Sequence, residues 1–511
     1  MLWHPPRAPR SIHGLDPADI DHALRTLEAL LTDPGRLAAL DPARRRALLE
    51  AAGRLSRPHK HERVQLAKAL RRGDRSLRRG HDAALLDATE IRSARRADVF
   101  APPPRHEKPP LGELATPRAC YVCKASFSTL HFFYDQLCPP CAAQSYDKRF
   151  QSVDLTGRVA LVTGARVKIG FQTVLLLLRA GARVVATTRF PHDAARRYAA
   201  EPDFATFQDR LEIHGLDLRH VPSVEVLARW LAEREGRLDL LVNNAAQTVR
   251  RPRAFYRHLL GAEAAVPEAS WRRLFAANDA LRADLGDAGR RAIGPGASLV
   301  SWQGGLSPVG LLHPAEMSQL ALAPDDLEDS PELFPLGAVD GDLQQVDRRR
   351  SNSWRLEAAD VTTPELLEVH LVNAIAPFIL CSRLRPLLAR VPTRDAHVVN
   401  VSAMEASFSR KKKTDKHPHT NMAKAALNML TRTSAADYAR AGIHMNSVDT
   451  GWVTDEDPLH HAERKQRVHD FHAPLDPVDG AARVLDPVFT GHRTGQHSWG
   501  KFWKDYRVVD W

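Results

Sequence analysis

The chain has 511 residues, too many for one average domain, and its length suggests two to four. With 43% hydrophobic and 26% charged residues and a mean hydropathy of −0.35, it has the composition of a globular protein, which excludes a collagenous or wholly disordered chain. The net charge is +11, and residues 1–150 carry most of it, with 26 Lys and Arg against 17 Asp and Glu.

Targeting signals are also missing from the sequence. No stretch approaches the roughly 18–20 uncharged apolar residues of a membrane-spanning helix. The first residues contain no apolar run of signal-peptide length, which argues against a secreted disulfide framework. We therefore expect a cytoplasmic protein that does not cross a membrane.

The N-terminal segment has helical periodicity. In Asp16–Leu31 apolar residues recur every three to four positions, and Asp16 followed by Pro17 is a typical helix start that Asp41 and Pro42 repeat. We predict a basic helical arm over residues 1–100. Its charge favours a solvated surface over nucleic-acid binding, because charge sums report on solubility and association rather than on specific recognition.

A Pro-rich linker is predicted over residues 101–116, followed by a four-cysteine module over residues 117–150. Two Cys-x2-Cys pairs separated by fourteen residues can direct four thiolates at one ion, as in a structural zinc site, and their members are Cys120, Cys123, Cys138 and Cys141. Two disulfides or a redox-active pair are the alternatives. Such a module could also dock a protein partner through residues 1–150. The fifth cysteine, Cys381, is predicted to be a small buried hydrophobe.

Residues 151–511 alternate between strand and helix patterns, which predicts a Rossmann-type, doubly wound parallel sheet of the α/β class. The predicted strands are Arg158–Ala165, Ala182–Arg189, Asp209–Leu218, Leu238–Ala246 and His397–Ala403. An insertion at about 250–360, which contains Trp271, Trp302 and Trp354, interrupts this alternation of strands and helices. This insertion either shapes a lid or substrate pocket or packs through its tryptophans.

A glycine-containing turn, Thr163–Gly170, follows the first strand and opens a helix. Such a turn lets backbone N–H groups and the helix N-terminus receive a pyrophosphate. Further motifs follow in order along the chain: Arg189, Asp217-Leu218, Asn243-Asn244-Ala245-Ala246, Asn373, Ser402, Lys424 and Asp449–Thr454.

With these motifs the sequence resembles the short-chain dehydrogenase/reductase family over about half of its length. The resemblance implies a dimer or tetramer that binds NAD or NADP and transfers a hydride between a carbonyl and an alcohol. It implies a water relay at Asn373, a substrate contact at Ser402, and a ribose contact at Lys424. The cofactor-binding positions implied are Gly164, Arg166, Lys168, Ile169, Gly170, Arg189, Asp217, Leu218, Asn243, Ala245, Lys424, Gly451 and Val453.

The sequence departs from the family pattern at three positions. Lys168 replaces the middle glycine of the first turn, where its ammonium could bind phosphate or its side chain could obstruct it. Thr420 replaces the catalytic tyrosine, and Ala403 the catalytic serine, with Ser402 beside it. An aliphatic hydroxyl is a poor general acid, so we predict that His419 donates the proton, with Thr420 contacting the substrate. The alternative is that His419 and the nearby His417 are ordinary loop residues.

Cofactor preference is predicted from the end of the second strand. Thr188 stands where NAD-preferring relatives carry an acidic residue, and Arg189 follows, which suits the 2′-phosphate of NADP better than NAD. The basic run Arg410–Lys416 either attracts an anionic substrate or forms a solvated loop.

The sequence therefore predicts an NADP(H)-dependent oxidoreductase with an altered proton relay, acting on a small carbonyl or alcohol substrate. The alternative is a non-catalytic NADP(H)-binding sensor or scaffold that acts through the zinc module and N-terminal helices. Nucleic-acid binding ranks last. The identity of the substrate does not follow from the sequence, because one fold serves many substrates.

Overall fold

A computed structural model describes residues 16–285, 308–410 and 413–511. The start of the chain, Trp302 of the insertion, and Lys411 and Lys412 of the basic run lie outside the described residues. The chain divides into two compact units, residues 1–81 and 82–511.

The described part of the first unit is helical, as predicted. It contains α1 (Pro17–Thr32), α2 (Pro34–Ala38), α3 (Pro42–Ser56) and most of α4 (Lys60–Asp87). Asp16 and Asp41 cap α1 and α3, because their carboxylates accept hydrogen bonds from first-turn backbone N–H groups at 3.0–3.2 Å. No residue of α1, α2 or α3 is buried.

The second unit contains the predicted doubly wound sheet. Its strand order is β10-β9-β8-β7-β6-β3-β4-β5, with parallel pairing throughout except between β9 and β10. The strands are β3 (Val159–Thr163), β4 (Arg183–Thr188), β5 (Leu211–Gly215), β6 (Leu240–Asn243), β7 (Ala396–Ser402), β8 (Ile443–Asp449), β9 (Phe502–Lys504) and β10 (Arg507–Val509). The five strands predicted from the sequence correspond to β3–β7.

Helices cover both faces of this sheet and complete two apolar cores, one on each side. The helices of the second unit are α5 (Glu90–Arg96), α6 (Pro139–Arg149), α7 (Lys168–Arg179), α8 (Pro191–Ala199), α9 (Phe204–Phe207), α10 (Val221–Arg234), α11 (Arg253–Ala264), α12 (Ala276–Asp284), α13 (Val309–Leu312), α14 (Thr363–His370), α15 (Ala376–Leu388), α16 (Pro418–Arg440), α17 (Leu459–His469) and α18 (Pro477–Thr494).

One long helical segment is apolar because it packs in the core of the fold. Thr363–Leu388, which joins α14 to α15 through a π-helical turn at Leu371–Ile375, is 26 residues long and by length and composition could cross a membrane. Leu380, Leu384 and Leu387 of this segment are buried in the core against α10 and the sheet. Packing of this kind accounts for the apolar character of the segment.

The predicted four-cysteine module consists of the antiparallel hairpin β1 (Gly112–Ala119) and β2 (Ser126–Leu130), followed by α6. Its boundaries differ from the sequence prediction, because β1 begins inside the predicted linker and α5 packs with the module through the buried Ile91. The same apolar cluster includes Val453 and Leu475 from the Rossmann-type region. The core of the module therefore includes residues of the segment between β8 and α18.

Buried ion pairs hold the module to α18. The guanidinium of Arg149, 2% exposed, lies 2.7 Å from the Asp476 carboxylate and 3.2 Å from that of Asp479. The hydroxyl of Tyr134 donates to Asp479 at 2.5 Å. Removing one partner of such a buried pair leaves an uncompensated charge in the interior.

We expect Arg149→Ala to lower the free energy of unfolding by about 3–5 kcal/mol, the usual cost of breaking a buried ion pair. The matched control is Arg440→Ala, which removes an exposed arginine 3.1 Å from Asp437 and is expected to cost under about 1 kcal/mol. Urea unfolding followed by circular dichroism measures both. Equal losses in the two variants would show that Arg149 does not anchor the module.

Candidate functional site

A cleft of about 1180 Å³ opens at the carboxyl ends of the parallel strands, where ligands bind in open α/β sheets. Most of the residues predicted from the sequence line it: Gly164, Arg166, Lys168, Ile169, Gly170, Arg189, Asp217, Leu218, Ala245, Ser402, Lys424, Gly451 and Val453. Asn243, Asn373, His419 and Thr420 do not line it. The fold therefore brings together thirteen residues that are scattered along the chain.

The turn after β3 lets the backbone approach closely, as the glycines predicted. Gly164 has φ +67°, and a Cβ there would lie 2.7 Å from the Ala245 Cα. A Cβ on Gly170 would lie 2.1 Å from the Gly164 carbonyl oxygen. Lys168, at the middle glycine position, keeps the left-handed conformation with φ +54°. The turn thus has the glycine geometry although one glycine is absent.

The side chains of this turn are engaged by carboxylates. Arg166 forms a buried ion pair with Asp193 at 2.7 Å, so its guanidinium supports the wall of the cleft. The Lys168 ammonium lies 4.0 Å from Asp342 of the insertion. Burial lowers the pKa of Lys168, but the charges of Glu456, Asp342 and Asp340 outweigh it, and the pKa is raised. Lys168 therefore stays charged beside the glycine turn.

Arg189 is placed at the cleft with its charge available. Its guanidinium donates to the Tyr256 hydroxyl at 2.7 Å and stacks 4.5 Å from the centre of that ring. Within the described part of the chain no carboxylate forms an ion pair with it. Asp217, by contrast, forms an ion pair with Arg219 at 2.7 Å. The aromatic contact orients the Arg189 guanidinium without neutralising it.

Two predicted asparagines support the cleft from behind it. Asn243 donates to Asn400 at 2.8 Å inside the sheet, and its neighbour Asn244 lines the cleft instead. Asn373 lies in the π-helical turn, where its Oδ1 accepts from the Gln247 backbone N–H at 2.7 Å. Both asparagines therefore lie behind the residues that line the cleft and hold them in place.

Lys424 and Ser402 lie at the cleft, as the motif predicts. The Lys424 ammonium donates to the Val401 carbonyl at 2.7 Å, and burial lowers its pKa to about 8. The Ser402 hydroxyl is buried and has no hydrogen-bond partner among the residues that the structure describes. It is therefore free to bond a ligand oxygen.

The structure does not place His419 and Thr420, which are predicted to act on the substrate, among the residues that line the cleft. The imidazole of His419 is 1% exposed and faces Glu365 at 3.3 Å, and the short Thr420 side chain is buried without reaching the cleft. His417 instead precedes α16 as its N-cap, in the left-handed conformation with φ +43°, so its side chain takes a different direction from that of His419 inside the helix. His417 lines the cleft.

His417, the N-cap of α16, forms a stripe along the cleft with Asn421 and Lys424 of that helix. The Nδ1 of His417 lies 3.1 Å from the Asn421 Oδ1, which accepts its proton and leaves Nε2 as the basic nitrogen of the neutral ring. Burial lowers the pKa of His417 below its usual 6.5. This stripe contains a titratable group and the Lys424 ammonium, although the tyrosine of the family pattern is absent.

The insertion covers this stripe with an aromatic ring. Trp354 stacks on His417 with ring centres 3.9 Å apart and planes 8° apart. Other insertion residues on the cleft wall are Asp340, Gln344, Val346, Asp347, Arg349, Asn352 and Arg355. Trp271 instead packs in the core against Phe275. The insertion therefore both packs and shapes the pocket.

The four-cysteine module also contributes to the cleft, and no pattern in the sequence indicates this contact. Tyr121, between the first two cysteines, lines the cleft, and its hydroxyl accepts a hydrogen bond from the Trp452 backbone N–H at 2.9 Å. Burial raises the pKa of Tyr121, although the nearby Lys504 opposes the shift. The Lys504 ammonium contacts Asp449 at 3.0 Å.

The four cysteines of the module converge as predicted. Their sulfur atoms all lie within 4.8 Å of one another, and those of Cys123 and Cys138 are 3.5 Å apart. Four thiolates so close together repel one another unless a cation joins them. The arrangement fits one tetrahedral ion such as zinc, whose bonds to sulfur are about 2.3 Å long.

The cleft is positively charged overall. Its described lining contains fourteen Lys and Arg side chains against eight Asp and Glu. Of the basic run predicted to attract anions, Arg410, Lys413 and Lys416 line the cleft, with Arg410 paired with Glu405 and Lys416 with Glu357. Basic side chains therefore outnumber acidic ones in the described lining, although part of their charge is paired.

Two family models match the large sheet region. One, described as short chain dehydrogenase, matches residues 158–278, and one, described as enoyl-(acyl carrier protein) reductase, matches residues 350–482. The two matches flank much of the insertion, which agrees with its being an addition to the common fold.

Similar proteins include the uncharacterized protein R665 of Acanthamoeba polyphaga mimivirus, 31% identical over 76% of this chain and 74% of its own. Retinol dehydrogenase 13 of Mus musculus is 36% identical over 18% of this chain, which spans only 27% of that enzyme. A solved RhlG/NADP active-site complex of Pseudomonas aeruginosa is 17% identical and aligns with a TM-score of 0.41 over 70% of this chain and 96% of its own.

Replacing Trp354 with alanine would expose the His417 ring to water. We expect the pKa of His417 to rise towards 6.5, because burial is the largest cause of its depression. An NMR titration of the imidazole resonances measures the shift. Trp499→Ala, which removes an indole that is 44% exposed, is the control and should leave that pKa unchanged. An unchanged pKa in Trp354→Ala would contradict the proposed shielding.

Proposed function

Because the chain belongs to the short-chain dehydrogenase/reductase family of oxidoreductases, we propose that it is an NADP(H)-dependent carbonyl reductase or alcohol dehydrogenase with a histidine in place of the usual tyrosine. One observation carries this proposal. The cleft that begins at the glycine turn also contains the His417–Asn421–Lys424 stripe and the unpartnered Ser402 hydroxyl.

The residues of the cleft fit a dinucleotide. The closely packed turn at Gly164 and Gly170 would receive the pyrophosphate through backbone N–H groups, with the Lys168 ammonium beside it. The Arg189 guanidinium, which forms no ion pair with a carboxylate of the described residues, would bind the 2′-phosphate, which favours NADP over NAD. Lys424 would hold the nicotinamide ribose. When bound, the cofactor supplies or accepts the hydride.

The chain's own residues would handle the proton. Carbonyl reduction requires a proton on the oxygen, and alcohol oxidation requires its removal. His417 can give or take that proton at Nε2, because Asn421 fixes the proton on Nδ1. The Ser402 hydroxyl would position the reacting oxygen, and the Lys424 ammonium would favour negative charge there.

The substrate class follows from the walls of the cleft. Basic side chains outnumber acidic ones there, and Trp354 offers an apolar surface. We therefore propose a small carbonyl or alcohol substrate that carries a phosphate or carboxylate. A homo-oligomer and a protein partner for residues 1–150 remain predictions of the sequence.

The four cysteines are proposed to hold a structural zinc ion. A closed site of four thiolates has no open position, so the ion would stabilise the module and not take part in the reaction. Through Tyr121 it would also fix the loop at Trp452. Reduced cysteines suit a cytoplasmic location, which we propose for the protein.

An NADP(H)-binding sensor without catalysis is the second candidate. It is favoured by the burial of Thr420 away from the cleft at the tyrosine position, and by the contact of the metal module with the cleft through Tyr121. In this case cofactor binding would be read out by the module or by the N-terminal helices. Binding of NADPH without turnover of any carbonyl substrate would favour it.

The test of catalysis compares two neighbouring histidines. With NADPH and a panel of anionic aldehydes and ketones, we expect His417→Gln to lower kcat by about 10²–10⁴-fold, the usual contribution of a general acid. His419→Gln is the control and should retain most activity, since its ring faces Glu365. NADPH oxidation at 340 nm measures both. A larger loss of kcat in His419→Gln than in His417→Gln would assign the proton transfer to His419.

The pH profile provides a second readout of the same residue. The protonated form of His417 exists below its pKa, which lies under 6.5, so the kcat of carbonyl reduction should rise as the pH falls towards that value. In His417→Gln this limb should be flat.

Arg189→Ala should weaken NADPH binding by about 10–100-fold, because a charge-assisted contact is worth roughly 1.5–3 kcal/mol. The affinity for NADH should change much less, since NADH lacks the 2′-phosphate. Fluorescence titration with both cofactors gives the two dissociation constants. Equal losses for NADPH and NADH would show that Arg189 supports the fold of the pocket and not cofactor choice.

Removal of the ion tests the role of the cysteines. Cys120→Ser should lose bound zinc, measured by plasma mass spectrometry, and lower the Tm, because the module is small and depends on its metal. NADPH binding should also weaken, since Tyr121 would no longer fix the Trp452 backbone. Cys381→Ala, at the buried fifth cysteine, is the control and should keep its zinc. Full zinc content in Cys120→Ser would refute the proposed site.

A further inference from the structure

A second group of metal-binding side chains lies at the opposite end of the sheet from the cleft. Asp395 directly precedes β7, and His397 and His444 are the second residues of β7 and β8. His492 lies in the last turn of α18, and His497 follows that helix. These residues lie outside the cofactor cleft, because the cleft opens at the carboxyl ends of these strands.

Three of these residues have the spacing of metal ligands. One ligand atom each from Asp395, His492 and His497 lies within 4.8 Å of the other two. The His492 Nδ1 is 3.5 Å from the Asp395 Oδ2. Tetrahedral ligands with bonds of about 2.0–2.2 Å lie roughly 3.3 Å apart, so modest side-chain rotation would close the group around one ion.

His397 and His444 contact the group and can orient its ligands. The His397 Nε2 lies 2.9 Å from the His497 Nδ1, and the His444 ring stacks on His497 with centres 4.8 Å apart. Such hydrogen bonds orient the imidazoles that bind metals. Gly491 leaves space for His497, since a Cβ there would lie 2.5 Å from its Nδ1.

The Asp395 carboxylate is also held by a guanidinium. Arg158 donates to both Asp395 oxygens, at 2.9 and 2.7 Å, and to Asp239 at 3.2 Å, and Arg237 donates to Asp239 at 2.9 Å. A cation at the group would share the Asp395 carboxylate with Arg158.

We infer that Asp395, His492 and His497 bind a divalent transition-metal ion such as Zn²⁺, with His397 orienting the ligands. Imidazole and carboxylate ligands suit Zn²⁺, Co²⁺ and Ni²⁺, and a water molecule would complete a fourfold coordination. The ion would join the amino end of β7 to the C-terminal part of α18. It would be chemically distinct from the thiolate site, because no sulfur takes part.

Cobalt reloading of the reduced, metal-stripped full chain tests this site. We expect two Co²⁺ per chain: one with intense sulfur-to-cobalt charge-transfer bands, and one with only weak visible bands. The double variant His492→Gln/His497→Gln should bind one Co²⁺ and keep the charge-transfer bands. Cys120→Ser/Cys123→Ser should lose those bands and keep the second ion.

The matched control is His460→Gln/His461→Gln, which removes another pair of neighbouring histidines, with ring centres 4.2 Å apart on α17. It should still bind two Co²⁺. A single Co²⁺ in the wild-type chain with thiolate bands, or two in His492→Gln/His497→Gln, would overturn the inference. Circular dichroism of each variant establishes that it is folded. If the wild-type chain lacked only the thiolate bands, the result would contradict the cysteine site and not the histidine site.

Discussion

Burial of both faces of the parallel sheet is the constraint on which the rest of the structure depends. Strands β3, β6 and β7 are buried along their whole length, so most of their side chains are apolar or are satisfied inside the core. Polar chemistry is therefore concentrated at the two ends of the strands. The carboxyl ends form the cofactor cleft, and the amino ends of β7 and β8 carry the histidine cluster around Asp395.

Features with a local cause could be predicted from the sequence. The strands, the caps at Asp16 and Asp41, the turn at Gly164 and Gly170, and the converging cysteines each depend on residues close in the chain or on a fixed spacing. Such patterns record the backbone geometry directly. The family resemblance then placed Lys424 and Ser402 at the cleft, where the structure has them.

Features that depend on tertiary contacts could not be predicted. Choosing between His417 and His419 requires knowing that α16 begins at Pro418 and which of its sides meets the sheet. Trp354 reaches His417 from an insertion without clear periodicity, and Tyr121 reaches Trp452 across 331 positions of sequence. In a single sequence no spacing records contacts of this kind.

The shared core of the four-cysteine module has a consequence for how this protein could have diverged. Val453 and Leu475 of the nucleotide region are buried together with Cys120, Phe133 and other module residues. A lineage that lost the module would leave these apolar side chains facing water, so compensating polar substitutions would have to appear at 453 and 475. The module and the segment that contains Val453 and Leu475 therefore constrain the mutations that each can accept.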